Sequence, residues 1–344
     1  MTTAAHEPLH AAHGPRHHAK HVTLHLLTPL LMCLGMGLAY LGAFHSPEPH
    51  EMKIAVVGTS ARADALARTL QSKAGDTLDV TTVADRKTAV ARLEDRDLAG
   101  AYVPDSAHPE ALVAKANSDT TAVAATTVFR TVADRQGVPL TVTDLTTLSK
   151  GDPTGQGIFF LLVALSIGSY GSVAAIGAAG AAFKLWTRAA IGLATSVVVS
   201  VIGIALAGPV FHIVDHDYAT VWAMGWLYSA GVITIGIGLH TFLKRWTTLA
   251  LMVLFVMLNF TSSGGVFRPE LQNGFFGSLH AFWNGAGFVE GARSLLYFDG
   301  GAGFDGRVLS LVCWLAGGVA LLAVSAAAES RRARRALPAS PAVA

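Results

Sequence analysis

Few residues in this chain are spaced to do chemistry. Glu290 and Arg293 stand three apart in a stretch patterned as a helix, where such a pair meets across adjacent turns. They belong to FTSSGGVFRPELQNGFFGSLHAFWNGAGFVEGARSLLYFDGG (260–301), which lies between two strongly apolar runs. That segment is too polar and Gly-rich to cross a bilayer in one pass and too aromatic for an ordinary soluble loop. Residues 50–150 offer Asp64, Asp76, Asp85, Asp105, His108 and Glu110. No nucleophile–base pair is recognisable among them, and carboxylates at this frequency read as a solvated face. No G-x-x-x-x-G-K-[ST] cradle is present, so any ATP hydrolysis belongs to another polypeptide. KIAVVGTSARAD has one glycine where a dinucleotide-binding turn needs three. Cys33 and Cys313 both fall in apolar runs and read as small buried hydrophobes, with neither a disulfide framework nor a zinc-finger site. The chain reads as a non-enzyme with no catalytic, cofactor or metal residues.

The elements around these residues are mostly oily. The chain has 344 residues, 52% hydrophobic and 14% charged, where globular domains carry about a quarter charged residues. Runs of about 20 uncharged residues are long enough to cross the ~30 Å hydrocarbon core as helices. The first is 22–44, longer than a signal-peptide core and so a retained anchor. Five more follow, near 156–182, 189–214, 220–243, 246–259 and 307–328. The predicted fold is an α-helical polytopic membrane protein of six spans, one and then five. The membrane domain proper covers 156–328. Net charge is only +2, which points away from a nucleic-acid partner.

Between the first two spans, residues 47–150 alternate strand and helix signals. Strands are predicted at 53–58, 78–83, 98–105, 111–117 and 139–145. Helices are predicted at 60–75, 86–97 and 120–136, the first capped by Ser60 and stopped by Gly75. This is the pattern of a small α/β domain with a sheet at its centre. The His-rich residues 1–21 read as a disordered tail and 329–344 as a basic tail.

Basic residues set the orientation. With the N-terminus inside, the inner pieces carry Arg16 and Lys20, then Lys184 and Arg188, then Lys244 and Arg245, then Arg331, Arg332, Arg334 and Arg335. The short outer loop HIVDHDYAT has Asp215 and Asp217 and no Lys or Arg. Both termini are therefore expected in the cytoplasm, in the cell membrane, with the α/β domain outside.

In this topology 263–301 is an outer segment. Two short helices are predicted, 269–282 and 285–298, folded as a re-entrant or interfacial hairpin. The second puts Phe288, Ala292 and Leu295 on one face and the Glu290–Arg293 pair elsewhere. Phe267, Phe275, Phe276, Phe282, Trp283, Tyr297 and Phe298 suit headgroup depth, and Pro269 breaks any continuous span. The alternatives are a lid resting on the membrane and an element of a translocation path. For the latter, Phe267, Pro269, Phe276, Trp283, Glu290 and Arg293 are the residues singled out. Tyr170 and Tyr228, the polar groups with any depth in the spans, read as satisfying local hydrogen bonds. Gly192, Ser196 and Ser200 recur every four residues in the third span, and Gly171, Ala175 and Ala179 in the second. Such stripes let helices approach closely, within one chain or across a dimer seam.

This order of parts resembles ABC-2 type exporter permeases, in particular their phage-infection-protein-like branch. Three stretches carry the likeness: IAVVG…LARTL…DVTTVADRKTAVARLEDRDLAGAYVPD (54–105), TVTDLTTLSKGDPTGQGIFFLLVALSIGSYGS (141–172) and SGGVFRPELQNGFFGSLHAFWNGAGFVEGARSLLYFDG (263–300). With the topology it spans 22–328. The resemblance implies a permease subunit that works as a homodimer or related heterodimer in the bilayer. A separate ATP-binding subunit would drive it through the loops bearing Lys184, Arg188, Lys244 and Arg245, and its cargo would be amphipathic or lipid-like. One departure is the loop between the second and third spans. It is only FKLWTR (183–188), where such permeases carry a longer helical coupling segment. The other expectation is a non-transporting membrane scaffold or secretion-accessory protein that presents the α/β domain to an envelope partner.

Overall fold

The computed structural model describes residues 15–336, apart from 181 and 302. Residues 1–14 and 337–344, which hold most of the expected tails, lie outside the described residues. From Pro15 the chain is already helical, so the expected disorder does not extend through residue 21. Once a helix is nucleated each further turn adds easily, and the first apolar helix propagates back beyond its oily part.

That helix, α1 (Pro15–Phe44), leads into a five-stranded mixed sheet. The elements run β1 (Met52–Val57), α2 (Ala61–Ala74), β2 (Leu78–Val83), α3 (Arg86–Glu94), β3 (Gly100–Val103), β4 (Glu110–Val113), α4 (Asp119–Gln136) and β5 (Thr141–Asp144). Strand order is β2-β1-β3-β4-β5. β1 pairs parallel with β2 and β3, and β4 pairs antiparallel with β3 and parallel with β5. From Ile54 onward central β1 is apolar on both faces, as a strand covered twice must be. Met52 and Ile54 face α2 and α4, while Ala55 and Val57 face α3. Ser60 accepts from the Ala63 amide at 3.2 Å and so caps α2, as its position predicts.

Five helices are long and apolar enough to cross a membrane. They are α1, α5 (Gly157–Ala179), α6 (Leu185–Ala205) with a π-helical turn to Val210, the 45-residue stretch Tyr218–Ser262, and α12 (Phe304–Ala336). The 45-residue stretch is not one rod. After α7 (Tyr218–Leu243), Lys244 adopts a positive φ of 49° and the chain folds back through α8 (Thr247–Met252), a π-helical turn (Val253–Met257) and α9 (Leu258–Ser262). Three pairs fix the reversal: His240 Nδ1 to Thr247 Oγ1 (3.3 Å), Gly236 against Leu251, and Asn259 Nδ2 to Tyr228 OH (2.8 Å).

α7 is the axis of the bundle, buried along most of its length against α5, α6 and α12. Close approach depends on small residues. A Cβ on Gly192 would lie 2.6 Å from Ile237 Cδ1 and 2.7 Å from Ile233 Cγ2. Gly192, Ser196 and Ser200 are all buried, so this stripe packs within the chain and does not offer a dimer seam. Gly171 and Ala175 point outward. Cys33 and Cys313 are exposed on the outer faces of their helices, not buried as expected. Each lies on a face turned away from the bundle.

Candidate functional site

The segment after α9 builds a layer that clamps the sheet domain onto the bundle. Its helices are α10 (Gly274–His280) and α11 (Asn284–Tyr297), preceded by a 3₁₀ turn at Pro269–Leu271. α11 lies within one residue of the expected 285–298. The first predicted helix, 269–282, is shortened, because Gln272 and Asn273 take extended conformations and Asn273 caps α10. The amphipathic face expected for α11 is absent: from Asn284 to Ser294 every residue is buried. It lies between the bundle and the sheet domain, so both sides are covered.

Glu290 is the centre of this layer, 1% exposed. Its Oε2 accepts from Arg268 Nη1 at 3.0 Å and from Arg96 Nη2, and its Oε1 accepts from Arg293 Nη1 at 3.2 Å. Arg96 also donates to the Glu290 carbonyl at 3.1 Å and to Asn117 Oδ1 at 2.7 Å, and its guanidinium lies 5.4 Å over the Phe298 ring. Arg268 donates to the same Asn117 oxygen at 2.6 Å and to Glu270 Oε1 at 3.1 Å. Arg293 reaches the carbonyls of Gly264 (2.6 Å) and Gly265 (3.1 Å). One carboxylate thus ties together the end of α3, the loop before α10, and α11, and its arginines extend the link to Asn117 in the turn after β4.

Local backbone makes this possible. Arg96 sits at φ 61°, just past the end of α3. A non-glycine residue there costs about 1 kcal/mol or more, which the cluster offsets. Gly264, at φ 76°, leaves no room for a side chain: a Cβ would come within 2.7 Å of both Glu290 Oε1 and His280 Cε1. Burial alone would raise the Glu290 pKa, but Arg96, Arg268 and Arg293 more than reverse this and hold the carboxyl well below the usual carboxylate range. Burial draws Arg96 down to about 10, so it stays charged at neutral pH. Burial brings His280 to about 4, against the pull of Glu290, so this ring is neutral. Its Nδ1 faces the Ser262 carbonyl at 2.9 Å and must carry the proton there, since a carbonyl only accepts.

The other singled-out residues of this segment are structural neighbours of the cluster. Phe267 packs on Phe44 at 5.6 Å and joins Leu271 in the apolar core of the sheet domain. Pro269 starts the 3₁₀ turn, and Phe276 is buried. Trp283 is buried rather than at a surface, and its Nε1 donates to the Leu254 carbonyl at 3.1 Å. Leu254 lies in the second π-helical turn, where the wider winding frees a carbonyl. Phe275 and Phe282 are exposed. Deeper in the bundle, Tyr228 bonds Ser166 (2.6 Å) and Asn259, so its hydroxyl is satisfied locally as expected.

At the opposite end of the bundle, Lys184, Lys244 and Arg245 are exposed. Arg188 is buried instead, donating to Glu329 Oε1 of α12 at 2.8 Å, with Thr241 on the same oxygen. The acidic partner lies in the last helix, far along the chain, which the composition of the 183–188 loop did not reveal. The roles of Arg96, Asn117, Arg268 and Glu270 in this cluster are not legible in the sequence. No local pattern distinguishes a buried arginine from the solvated ones around it. No family model matches this chain, and comparison with curated proteins and with solved structures finds no match.

Proposed function

We propose that this chain is the permease subunit of an ABC-2-like exporter that moves an amphipathic or lipid-like molecule outward. Six spans carry it, since the 45-residue stretch that folds back at Lys244 crosses twice. Both termini are cytoplasmic. The observation that carries the reading is the Glu290 cluster. It pins a sheet domain and a short helical hairpin to one end of a bundle, so the two move as one layer and can close the outer end of a path. Basic residues gather at the other end, which supports its facing the cytoplasm. There Lys184, Lys244 and Arg245 are exposed for a separate ATP-binding subunit, and two copies of the chain or of a relative form the working dimer.

Arg188 favours a second reading. Its pairing with Glu329 removes one cation from an already short coupling loop, as suits a scaffold that presents the sheet domain to an envelope partner without transport. Affinity purification in mild detergent with mass spectrometry separates the two. The exporter reading expects a stoichiometric ATP-binding subunit, lost when Lys244 and Arg245 are both changed to Glu. Recovery of envelope proteins alone, with efflux unchanged on deletion, would leave only the scaffold.

A further inference from the structure

Two cavities meet at the outer end of α12. The first is a polar cleft of about 520 Å³ between the sheet domain and the hairpin. The second is an apolar groove of about 630 Å³ running down the outer surface of α12. Ala281 lines both, and Arg307 of the cleft is the chain neighbour of Gly306 of the groove.

The cleft's charges nearly cancel. Arg96 and Arg268 are matched by Glu290 and Glu270, and Lys53 is paired with Asp97 at 3.3 Å. Glu51 is exposed at the mouth. Arg307 is different. Its guanidinium reaches only the His280 carbonyl, at 3.4 Å, and among the described residues it pairs with no carboxylate. An arginine without a counter-ion, at the junction of a polar cleft and an oily groove, suits one phosphodiester.

The groove has the shape of a chain. It extends from Gly306 to Leu321, and fifteen residues of helix rise about 22 Å, more than one leaflet's share of the ~30 Å hydrocarbon core. Ile235 and Trp314 line it, Phe282 and Leu309 stand exposed beside it, and Gly306 and Gly317 hold it open. A Cβ on either glycine would meet nothing within 4 Å, so neither is required by packing inside the chain.

We propose that cleft and groove together bind an anionic phospholipid from the outer side, its phosphodiester on Arg307 and an acyl chain along α12. As a statement about cargo this rests on the export reading. As a statement about binding it stands on the two cavities alone.

Delipidated full-length protein in detergent is offered dioleoyl phosphatidylglycerol or dioleoyl phosphatidylcholine, and retained lipid is counted by native mass spectrometry. The expected preference for phosphatidylglycerol is about tenfold, because both lipids offer the phosphodiester but the choline of phosphatidylcholine adds a cation beside the uncompensated Arg307. Arg307→Gln removes the preference and Arg307→Lys keeps most of it. Gly317→Phe fills the groove and lowers retention of both lipids. Glycerol 3-phosphate, a headgroup without a chain, does not compete. Equal retention of the two lipids overturns the proposal, as does a preference that survives Arg307→Gln or competition by glycerol 3-phosphate as strong as that of the lipid. If Arg307→Gln does not yield folded protein, Arg307→Lys and Gly317→Phe decide, because the first keeps the charge and the second enters open space. Selective binding without an ATP-binding partner would leave the site standing and remove export. An ATP-binding partner without selective binding would do the reverse.

Discussion

At the scale of single residues, Glu290 holds more of this molecule together than any other side chain described. Three guanidiniums converge on it, that of Arg293 buried and those of Arg96 and Arg268 largely covered. Breaking a buried pair by removing one partner costs about 3–5 kcal/mol, because the other charge stays buried without compensation. Glu290→Gln is therefore expected to lower stability by at least that amount, read as a fall in melting temperature in detergent. Glu290→Asp should recover part of it. A variant that melts as the wild type would remove the cluster from the account. His280 gives a pH dependence. In the folded chain the ring gains its proton near pH 4, whereas an exposed ring gains it near 6.5. Between those values the unfolded state binds more protons, so stability falls as pH drops from about 6.5 to 4, by about 3 kcal/mol in all. In His280→Gln that part of the pH profile should be shallower, and a profile identical to the wild type would contradict the burial argument. The Glu290–Arg293 pair is legible from its spacing. Arg96 is not, since it reaches Glu290 across 194 residues, and helix-end arginines are ordinarily solvated.

At the scale of elements, the bundle depends on helices that approach within side-chain distance of one another's backbones. Gly192→Leu is expected to push α6 off α7, because even its Cβ would sit 2.6 Å from Ile237. Overpacking a tight core costs about 1–3 kcal/mol or more. The check is the thermal melt, with Gly171→Leu as the control, since Gly171 faces open space. Equal losses in both variants would mean that close packing is not what fixes this pair. The sequence patterns locate these elements well. Ser60 and Gly75 bound α2, β2 spans the expected 78–83, and α11 falls within a residue of its predicted limits. The π-helical turn at Val253–Met257 is not legible, because the donor that satisfies its freed carbonyl is distant in the chain. Trp283 supplies that donor to the Leu254 carbonyl from across the layer.

At the scale of the whole molecule, the sheet domain is not a separate body on a tether. Leu271 and Phe267 of the hairpin complete its apolar core with Met52, Ile54 and Phe129. The His50 amide donates to the Glu270 carbonyl at 2.8 Å, and Thr120 to the Val266 carbonyl at 3.0 Å. Alternating apolar runs reveal that a domain and a bundle exist. They do not reveal that the two share a core, since that depends on which surfaces meet. The proposed function therefore stands on one arrangement: a domain-and-hairpin layer outside the cell and a basic rim inside. The most direct test replaces Cys33 and Cys313 with Ala and places single cysteines at Ser106, on the sheet domain, or at Lys244, on the rim. Intact cells are then treated with a membrane-impermeant maleimide. Labelling of the cysteine at 106 but not at 244, with 244 becoming reactive after permeabilisation, is the expected result. Labelling of 244 and protection of 106 in intact cells would contradict the account.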